Sequence, residues 1–166
     1  MNALTTKALS LAIVVAVWAT ISHLAKLPLE LAPVIVGLAC FVGAGGGMMG
    51  LQKSVLGTAS GVVWAMLYMA VAGALDGGPP GVLDALVLGA AVFGMVFQAR
   101  VPLLSYTTGA IVGAATAIAV PGRTITMDAG IRIAAALAIG CVLGIVAERL
   151  AEFIARTRFV PAMSNR

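Results

Sequence analysis

The sequence predicts an all-α integral membrane protein with about six transmembrane helices. Of its 166 residues, 61% are hydrophobic and only 10% are charged, and the mean hydropathy is +1.11. A soluble domain carries roughly 25% charged residues, so this chain has too few to cover a core that faces water. A transmembrane helix needs roughly 20 mostly apolar residues. Six such helices use most of the chain and leave no room for a soluble catalytic domain.

Proline, glycine and charged residues divide the apolar sequence into six segments. The predicted helices cover 8–25, 31–47, 52–75, 82–98, 102–120 and 129–150. Pro28 follows the first segment, where proline cannot supply a helical hydrogen bond. Pro102 suits the first turn of the fifth helix, where its missing N–H is no loss. We therefore predict one transmembrane domain over 1–150.

The remaining residues, 151–166, form a predicted cytoplasmic tail. It is either a short amphipathic segment along the inner headgroups or the frayed end of the sixth helix. The orientation follows from the basic residues. With a cytoplasmic N-terminus, the inside holds seven of them, Lys7, Lys53, Arg100, Arg149, Arg156, Arg158 and Arg166. The outside holds Lys26, Arg123 and Arg132. The positive-inside rule then places both termini in the cytoplasm, in a multi-pass protein of a bacterial inner (plasma) membrane.

The net charge of +4 does not indicate nucleic acid as a partner, because the basic residues lie singly at helix ends. We expect the lipid bilayer to be their partner. Cys40 and Cys141 both lie inside apolar segments and are predicted to be reduced, buried and small rather than disulfide-bonded. No metal-ligand cluster, cofactor motif or nucleophile–base pair is recognisable in the sequence, so we expect no cofactor and no enzyme activity.

Weak similarity between segments suggests an internal repeat of about fifty residues. One level in the odd-numbered helices holds Trp18, Trp64 and Gly113, and one level in the even-numbered helices holds Gly37, Gly89 and Gly140. Tandem copies of a hairpin keep their direction across the membrane. We therefore predict three parallel helical hairpins, 8–47, 52–98 and 102–150, around a central line that is either a pore or a packed core.

Glycines spaced four apart, together with those at the shared level of the even-numbered helices, predict close helix contacts. The candidates for close packing or pore lining are Gly37, Gly57, Gly61, Gly89, Gly109, Gly113, Gly140 and Gly144. Such spacing puts small residues on one helix face and lets a neighbouring backbone approach. These faces exceed what one six-helix bundle is expected to use, so we predict a homo-oligomer. The glycine-rich run 43–50 is either a flexible turn or a broken helix end facing a cavity.

Polar residues recur at the predicted cytoplasmic ends of the three hairpins. The candidates for a polar mouth are Gln52, Lys53, Gln98, Arg100 and Glu148. The simpler interpretation is that such residues anchor helix ends at the interface. Trp18 and Trp64 lie deeper than an aromatic belt requires. They either pack between helices or shape a constriction.

Three segments carry a resemblance to a known family. They are Ser-Gly-Val-Val-Trp-Ala-Met over Ser60–Met66, Gly-Gly-Gly-Met-Met-Gly ending at Gly50, and Gln98-Ala-Arg100 leading to Thr108-Gly109. They resemble the YcdZ-like proteins, small bacterial inner-membrane proteins placed in a domain-of-unknown-function family. The resemblance spans all six predicted helices. It implies an inner-membrane location and a multi-helix fold, but no activity, substrate or catalytic residue.

The leading functional hypothesis is a passive channel or facilitator for a small neutral solute. A second is a non-transporting partner or scaffold subunit, which packs its glycine faces against another membrane complex or itself. A third is a secondary transporter, which the absence of charge at the expected helix midplanes disfavours. A channel requires a continuous line of Gly, Ser and Thr faces, whereas a partner protein presents those faces outward.

Overall fold

The computed structural model describes residues 3–25, 30–74, 81–120 and 126–157. All of its regular elements in these ranges are helical. Six α-helices are α1 Ala3–Leu24, α2 Leu31–Gly43, α3 Gly47–Ala74, α4 Val82–Phe97, α5 Thr107–Ala119 and α6 Met127–Thr157. Two 3₁₀ turns, Gln98–Arg100 and Pro102–Leu104, connect α4 to α5. The all-helical prediction is confirmed.

The helices fall into two classes of length. Four of them, α1, α3, α4 with its following 3₁₀ turn, and α6, are long and apolar enough to cross a membrane. The other two, α2 and α5, have 13 residues each. At 1.5 Å per residue each spans about 20 Å, which is less than the roughly 30 Å of a bilayer's hydrocarbon core. A multi-pass membrane protein is thus supported, and six full crossings and the orientation stay predictions.

The break between the second and third helices comes earlier than predicted. Gly45, Gly46 and Gly47 have φ angles of 92°, 71° and 65°. These left-handed conformations end a right-handed helix, and glycine adopts them without steric cost. As a result α2 ends at Gly43, and α3 begins at Gly47 rather than at the predicted residue 52.

The ends of the last two helices also differ from the prediction. The fifth helix begins at Thr107 instead of 102, because the 3₁₀ turns occupy the residues before it. The sixth continues to Thr157, so the first part of the predicted tail is a continuation of α6. Residues 158–166, together with Lys26 and Arg123, lie outside the described residues.

The short helix α2 lies along α6 with its backbone in direct contact. A Cβ on Gly37 of α2 would collide with the carbonyl oxygen of Leu137, and one on Gly140 of α6 would collide with that of Val34. Helix association in lipid depends on such close approach between small residues. Further along, Gly144 meets Phe41, so the two helices run parallel. With α1 packed against α6, these helices form what we call the α6 bundle.

The other short helix, α5, lies along α3 in the same way. A Cβ on Gly61 of α3 would collide with the carbonyl oxygen of Ala110, and one on Gly113 of α5 would collide with that of Thr58. With α4 packed against α3, these helices form the α3 bundle. The buried core lies where this bundle meets α6. It comprises Val62, Ala65, Ala91, Met95, Ala110, Ala114, Ala117, Ile133 and Leu137.

The two bundles are built from matching contacts. The contact of Gly140 with Val34 and Leu38 recurs as that of Gly61 with Ala110 and Ala114, and the contact of Gly37 with Leu137 recurs as that of Gly113 with Thr58. The matching helices α3 and α6 run antiparallel, since Gly46 lies near Glu148 at one end and Met66 near Gly130 at the other. An approximate two-fold axis across the helices therefore relates α1–α3 to α4–α6.

The prediction of three parallel hairpins is wrong. A three-fold array would pack α1 against α3 and α5 as closely as α3 packs against α5. In the described part of the chain, α1 packs mainly against α6, and the close α2–α6 contact has no counterpart between α2 and α4 or between α4 and α6. The repeat unit is three helices, and its copies are inverted.

Candidate functional site between the two bundles

The two bundles meet where α3 crosses α6. Thr58 of α3 and Leu137 of α6 lie at this crossing and are 1% and 0% exposed. They are also equivalent residues under the approximate two-fold axis, because they face Gly113 and Gly37 respectively. We call the end of the molecule at Gly45–Gly47 the Gly-rich end. The interface from Thr58 to this end is the candidate site.

Glu148 connects the two bundles at the Gly-rich end. One carboxylate oxygen of this half-buried α6 residue accepts a hydrogen bond of 2.8 Å from the backbone N–H of Gly47, the first residue of α3. The other oxygen lies 2.8 Å from where a Cβ on Gly46 would be. The first N–H groups of a helix lack partners within the helix and carry partial positive charge. Glu148 therefore caps α3 from the opposite bundle.

Tyr106 spans the same end of the interface from the α3 bundle. It precedes α5, and its ring lies against Gly57 of α3 and Gly109 of α5. Its hydroxyl oxygen lies 2.7 Å from where a Cβ on Gly43 would be, at the end of α2 in the α6 bundle. Side chains at these three glycine positions would displace the tyrosine. The glycines therefore make room for an aromatic side chain that reaches across the interface.

Small polar side chains line the interface between this end and the crossing. Ser54 donates a hydrogen bond to the Leu51 carbonyl at 3.1 Å, and Thr58 donates one to the Ser54 carbonyl at 2.8 Å. Cys141 donates from its Sγ to the Gly37 carbonyl at 3.2 Å. Ser54 and Cys141 are each 0% exposed. These three side chains are polar and uncharged.

The two cysteines agree with the sequence prediction. Cys40 and Cys141 are both free and both buried. Cys40 lies on α2 and Cys141 on α6, where small side chains fit between closely packed helices. Cys40 lies about one turn before Gly43, which the Tyr106 hydroxyl reaches, and Cys141 lies about two turns before Glu148, so both residues are further from the Gly-rich end than these contacts.

Gln98 has a structural role that its sequence position did not indicate. Its side-chain oxygen accepts a 3.0 Å hydrogen bond from the Trp64 indole N–H, and its amide nitrogen donates one of 2.9 Å to Ser60. Ser60 in turn donates to the Gly57 carbonyl at 2.7 Å. These bonds attach the end of α4 to the middle of α3. The bonded residues are 34 and 38 positions apart in the sequence, so helical periodicity could not predict that they are in contact.

The five residues of the predicted polar mouth are not brought together. Gln98 contacts α3 at Ser60, whereas Glu148 contacts it at Gly47, which is about 20 Å away along the helix. Of the others, Gln52 is exposed and Lys53 half-buried. Arg100 is exposed, with its guanidinium 4.1 Å from the centre of the Phe97 ring. Of these five residues, Glu148 is the one with a described contact to the other bundle.

The candidate glycines serve close packing. Gly37, Gly61, Gly113 and Gly140 face backbone, Gly57 and Gly109 face Tyr106, and Gly144 faces Phe41. The exception is Gly89, where a Cβ would meet nothing within 4 Å on the exposed surface of α4. Trp18 is half-buried on α1 and Trp64 packs on Gly94, so the two tryptophans lie in different bundles.

Sequence reasoning missed Tyr106 altogether and gave Glu148 a different role. Tyr106 is accommodated by three glycines that are far apart in the sequence, Gly43, Gly57 and Gly109. They come together in the folded structure. The glycine-rich run was recognised as a broken helix end, one of two interpretations. Glu148 binds the first residue of α3 directly after this break.

The comparison with protein families covers most of the chain. Residues 8–152 match a family described as a protein of unknown function, DUF1097. The chain belongs to the DUF1097 family. This confirms the domain-of-unknown-function family that the sequence resemblance implied, and the likeness to YcdZ-like proteins stays a resemblance. No curated protein and no solved structure matches the chain.

Proposed function

We propose that this DUF1097 protein is a passive facilitator, which carries a small neutral solute across the bacterial inner membrane by exposing the interface between its two bundles to each side in turn. The observation that supports this most is the pair of matching crossings, α2 on α6 and α5 on α3. Many transporters are built from two inverted repeats, and one repeat rocks against the other around a central binding site. Unusually short helices in corresponding positions of the two halves are a pointer to such a site, and α2 and α5 are such a pair.

Close packing favours a carrier over a permanently open channel. The glycine contacts of Gly61 and Gly140 bring helix backbones together on both sides of the crossing. Thr58 and Leu137 fill the crossing itself and are almost fully buried. A solute passes this point only when the bundles move relative to each other.

The chemistry of the interface favours a neutral solute that forms hydrogen bonds. Ser54, Thr58 and Cys141 provide hydroxyl and thiol groups between the bundles. Within the described residues, no charged side chain lies at the α3–α6 crossing. Ion-coupled transporters keep functional charges at this depth. Small amides and alcohols therefore fit the interface better than ions do.

Proteoliposome flux tests this proposal. Purified protein is reconstituted, and uptake of radiolabelled urea, acetamide, glycerol and ethylene glycol is compared with that of protein-free vesicles. We expect saturable uptake of at least one solute, accelerated by the same unlabelled solute on the opposite side, because a carrier exchanges solute faster than it returns empty. Gly89→Ala, on an open surface, is the matched control and keeps wild-type flux. Uptake at the protein-free rate for a broad panel of neutral solutes refutes the proposal.

A second proposal, a partner or scaffold subunit, is supported by the surface of α4. Gly89 has open space around it, and Phe93 beside it is 69% exposed. An accessible glycine on a lipid-facing helix permits the close approach of another helix. That helix belongs to a second copy of this chain or to another membrane complex. Such association is compatible with transport, so the flux measurement decides whether the protein is a facilitator at all.

A further inference from the structure

We propose that the Gly-rich end is a gate, and that Tyr106 and Glu148 hold it closed in this structure. The proposal deepens the proposed function, on which its physiological role rests. The gate itself is a property of the two bundles and can be tested without any solute. Both residues act on the short connection between α2 and α3, which is also a covalent link between the two bundles.

The connection between α2 and α3 has the backbone conformation of a hinge. Gly45, Gly46 and Gly47 all have positive φ angles, which other residues adopt only with strain. Relative motion of the bundles acts directly on this connection, because it joins α2 of one bundle to α3 of the other. The hydrogen bond from Gly47 to Glu148 fixes the end of this hinge against α6.

Tyr106 fills the space between the two bundles at Gly43, the residue of α2 that precedes the hinge. Its ring rests on glycines of its own bundle, and its hydroxyl reaches Gly43 in the opposite bundle. Among the described residues, this hydroxyl has no hydrogen-bond partner. The tyrosine therefore fills space across the interface without being bonded to the far side, which allows it to move away with its bundle.

Among the residues that the structure describes, the opposite end of the interface has no carboxylate that caps a helix of the other bundle. Under the two-fold relation, Glu148 corresponds to Met69 of α3, and Gly47 corresponds to Thr126 before α6. Thr126 accepts a 3.3 Å hydrogen bond from the N–H of Ala129 in its own helix, so α6 is capped locally rather than from the other bundle. The nearby contact between the bundles is Met66 against Gly130, which is apolar. The cross-bundle carboxylate is thus a departure from the two-fold symmetry at one end only.

Cys40 and Cys141 are natural reporters of this gate, because both thiols are buried beyond it. Full-length protein in liposomes is treated with N-ethylmaleimide, and the labelling rate of each cysteine is followed by peptide mass spectrometry. We expect Glu148→Ala and Tyr106→Ala each to raise the rate at one or both thiols by tenfold or more. Glu148→Gln, which keeps an oxygen acceptor for Gly47, is expected to raise it less.

Two controls separate gating from general loosening. Glu152→Ala removes an exposed carboxylate one turn further along α6, which pairs with Arg149 at 3.6 Å, and should label at the wild-type rate. In a Met66→Cys background, the introduced thiol at the opposite end should label equally with and without Glu148→Ala. Wild-type rates at Cys40 and Cys141 in folded Glu148→Ala and Tyr106→Ala proteins overturn the gate. An equal rise in Glu152→Ala, or at position 66, also overturns it.

The two proposals fail separately. Altered labelling without solute flux in any assay supports the gate and refutes the facilitator. Flux with unaltered labelling supports the facilitator and refutes the gate.

Discussion

Gly61 of α3 and Gly140 of α6 occupy equivalent places in two helix crossings. Each faces a backbone carbonyl of a 13-residue helix, that of Ala110 for Gly61 and that of Val34 for Gly140, with no side chain between. The same geometry, produced twice by helices that run in opposite directions, relates the two halves of the chain. These two glycines therefore permit the close helix packing and also mark the relation between the two halves of the fold.

The first prediction concerns these crossings. Gly61→Leu and Gly140→Leu each place a branched side chain against backbone, which cannot rotate away as a side chain can. Overpacking a core costs about 1–3 kcal/mol and occasionally more, and we expect at least the upper end of this range. The measurement is the free energy of unfolding in mixed micelles. Gly73→Leu is the control on the same helix, because a Cβ there meets nothing within 4 Å. Equal stability of Gly61→Leu and Gly73→Leu contradicts the close crossing.

Part of this fold is visible in the sequence. Ile35-Val36-Gly37 in α2 recurs as Ile111-Val112-Gly113 in α5, and Gly61-Val62-Val63 in α3 matches Gly140-Cys141-Val142 in α6 at two of three positions. These matches predict a three-helix repeat. Alignment on Trp18 and Trp64 instead favoured hairpins, because glycine, alanine and valine recur so often that several registers match. The packing decides between these alignments, because the three-helix alignment is the one that pairs glycines with the same backbone contact in both halves.

The candidate site was less accessible to sequence reasoning. Composition and periodicity predict which segments are apolar, and they located all six helices. They do not predict which bundle a polar end residue joins. Gln98 and Glu148 both follow an apolar run and looked equivalent, yet one bonds Trp64 within a bundle and the other caps α3 across bundles. Such pairings depend on helix order in space, which local sequence does not encode.

The second prediction separates Gln98 from transport. Gln98→Leu leaves the Trp64 N–H without its acceptor and removes the hydrogen bond that the Ser60 hydroxyl accepts, inside a half-buried contact. An unsatisfied polar group costs about 1–3 kcal/mol, so we expect lower thermal stability and a shift in tryptophan emission. Gln52→Leu, at an exposed position of α3, should leave both unchanged. Altered solute flux with unchanged stability in Gln98→Leu would restore the polar-mouth hypothesis instead.

The third prediction concerns self-association through α4. Gly89→Leu fills an open surface and should leave the unfolding free energy within about 0.5 kcal/mol of wild type. It should reduce the oligomeric fraction severalfold if a second copy approaches there, because a leucine prevents close helix contact. Native mass spectrometry from mild detergent and crosslinking in membranes measure this fraction. Gly73→Leu, on the exposed surface of α3, is the control. A protein that is monomeric in both settings, or whose oligomer tolerates Gly89→Leu, removes the α4 interface.

The last prediction is that all six helices cross the membrane, including the short pair α2 and α5. If neither of them crossed, α3 and α6 would be the second and fourth crossings and would run in the same direction. They are antiparallel, since Gly46 lies near Glu148 at one end and Met66 near Gly130 at the other. Three crossings in each half make α3 and α6 antiparallel. The distribution of the basic residues then favours cytoplasmic termini.

Reporter fusions distinguish the two topologies. With six crossings, a fusion after Gly78, between α3 and α4, lies on the opposite side from a fusion after Arg166. With four crossings, both lie on the same side as the N-terminus. We expect alkaline phosphatase activity after Gly78 and green fluorescence after Arg166, with the reporters exchanged as the matched control. Both reporters active on one side would mean that α2 and α5 enter the bilayer without crossing it, and the antiparallel arrangement of α3 and α6 would then be wrong.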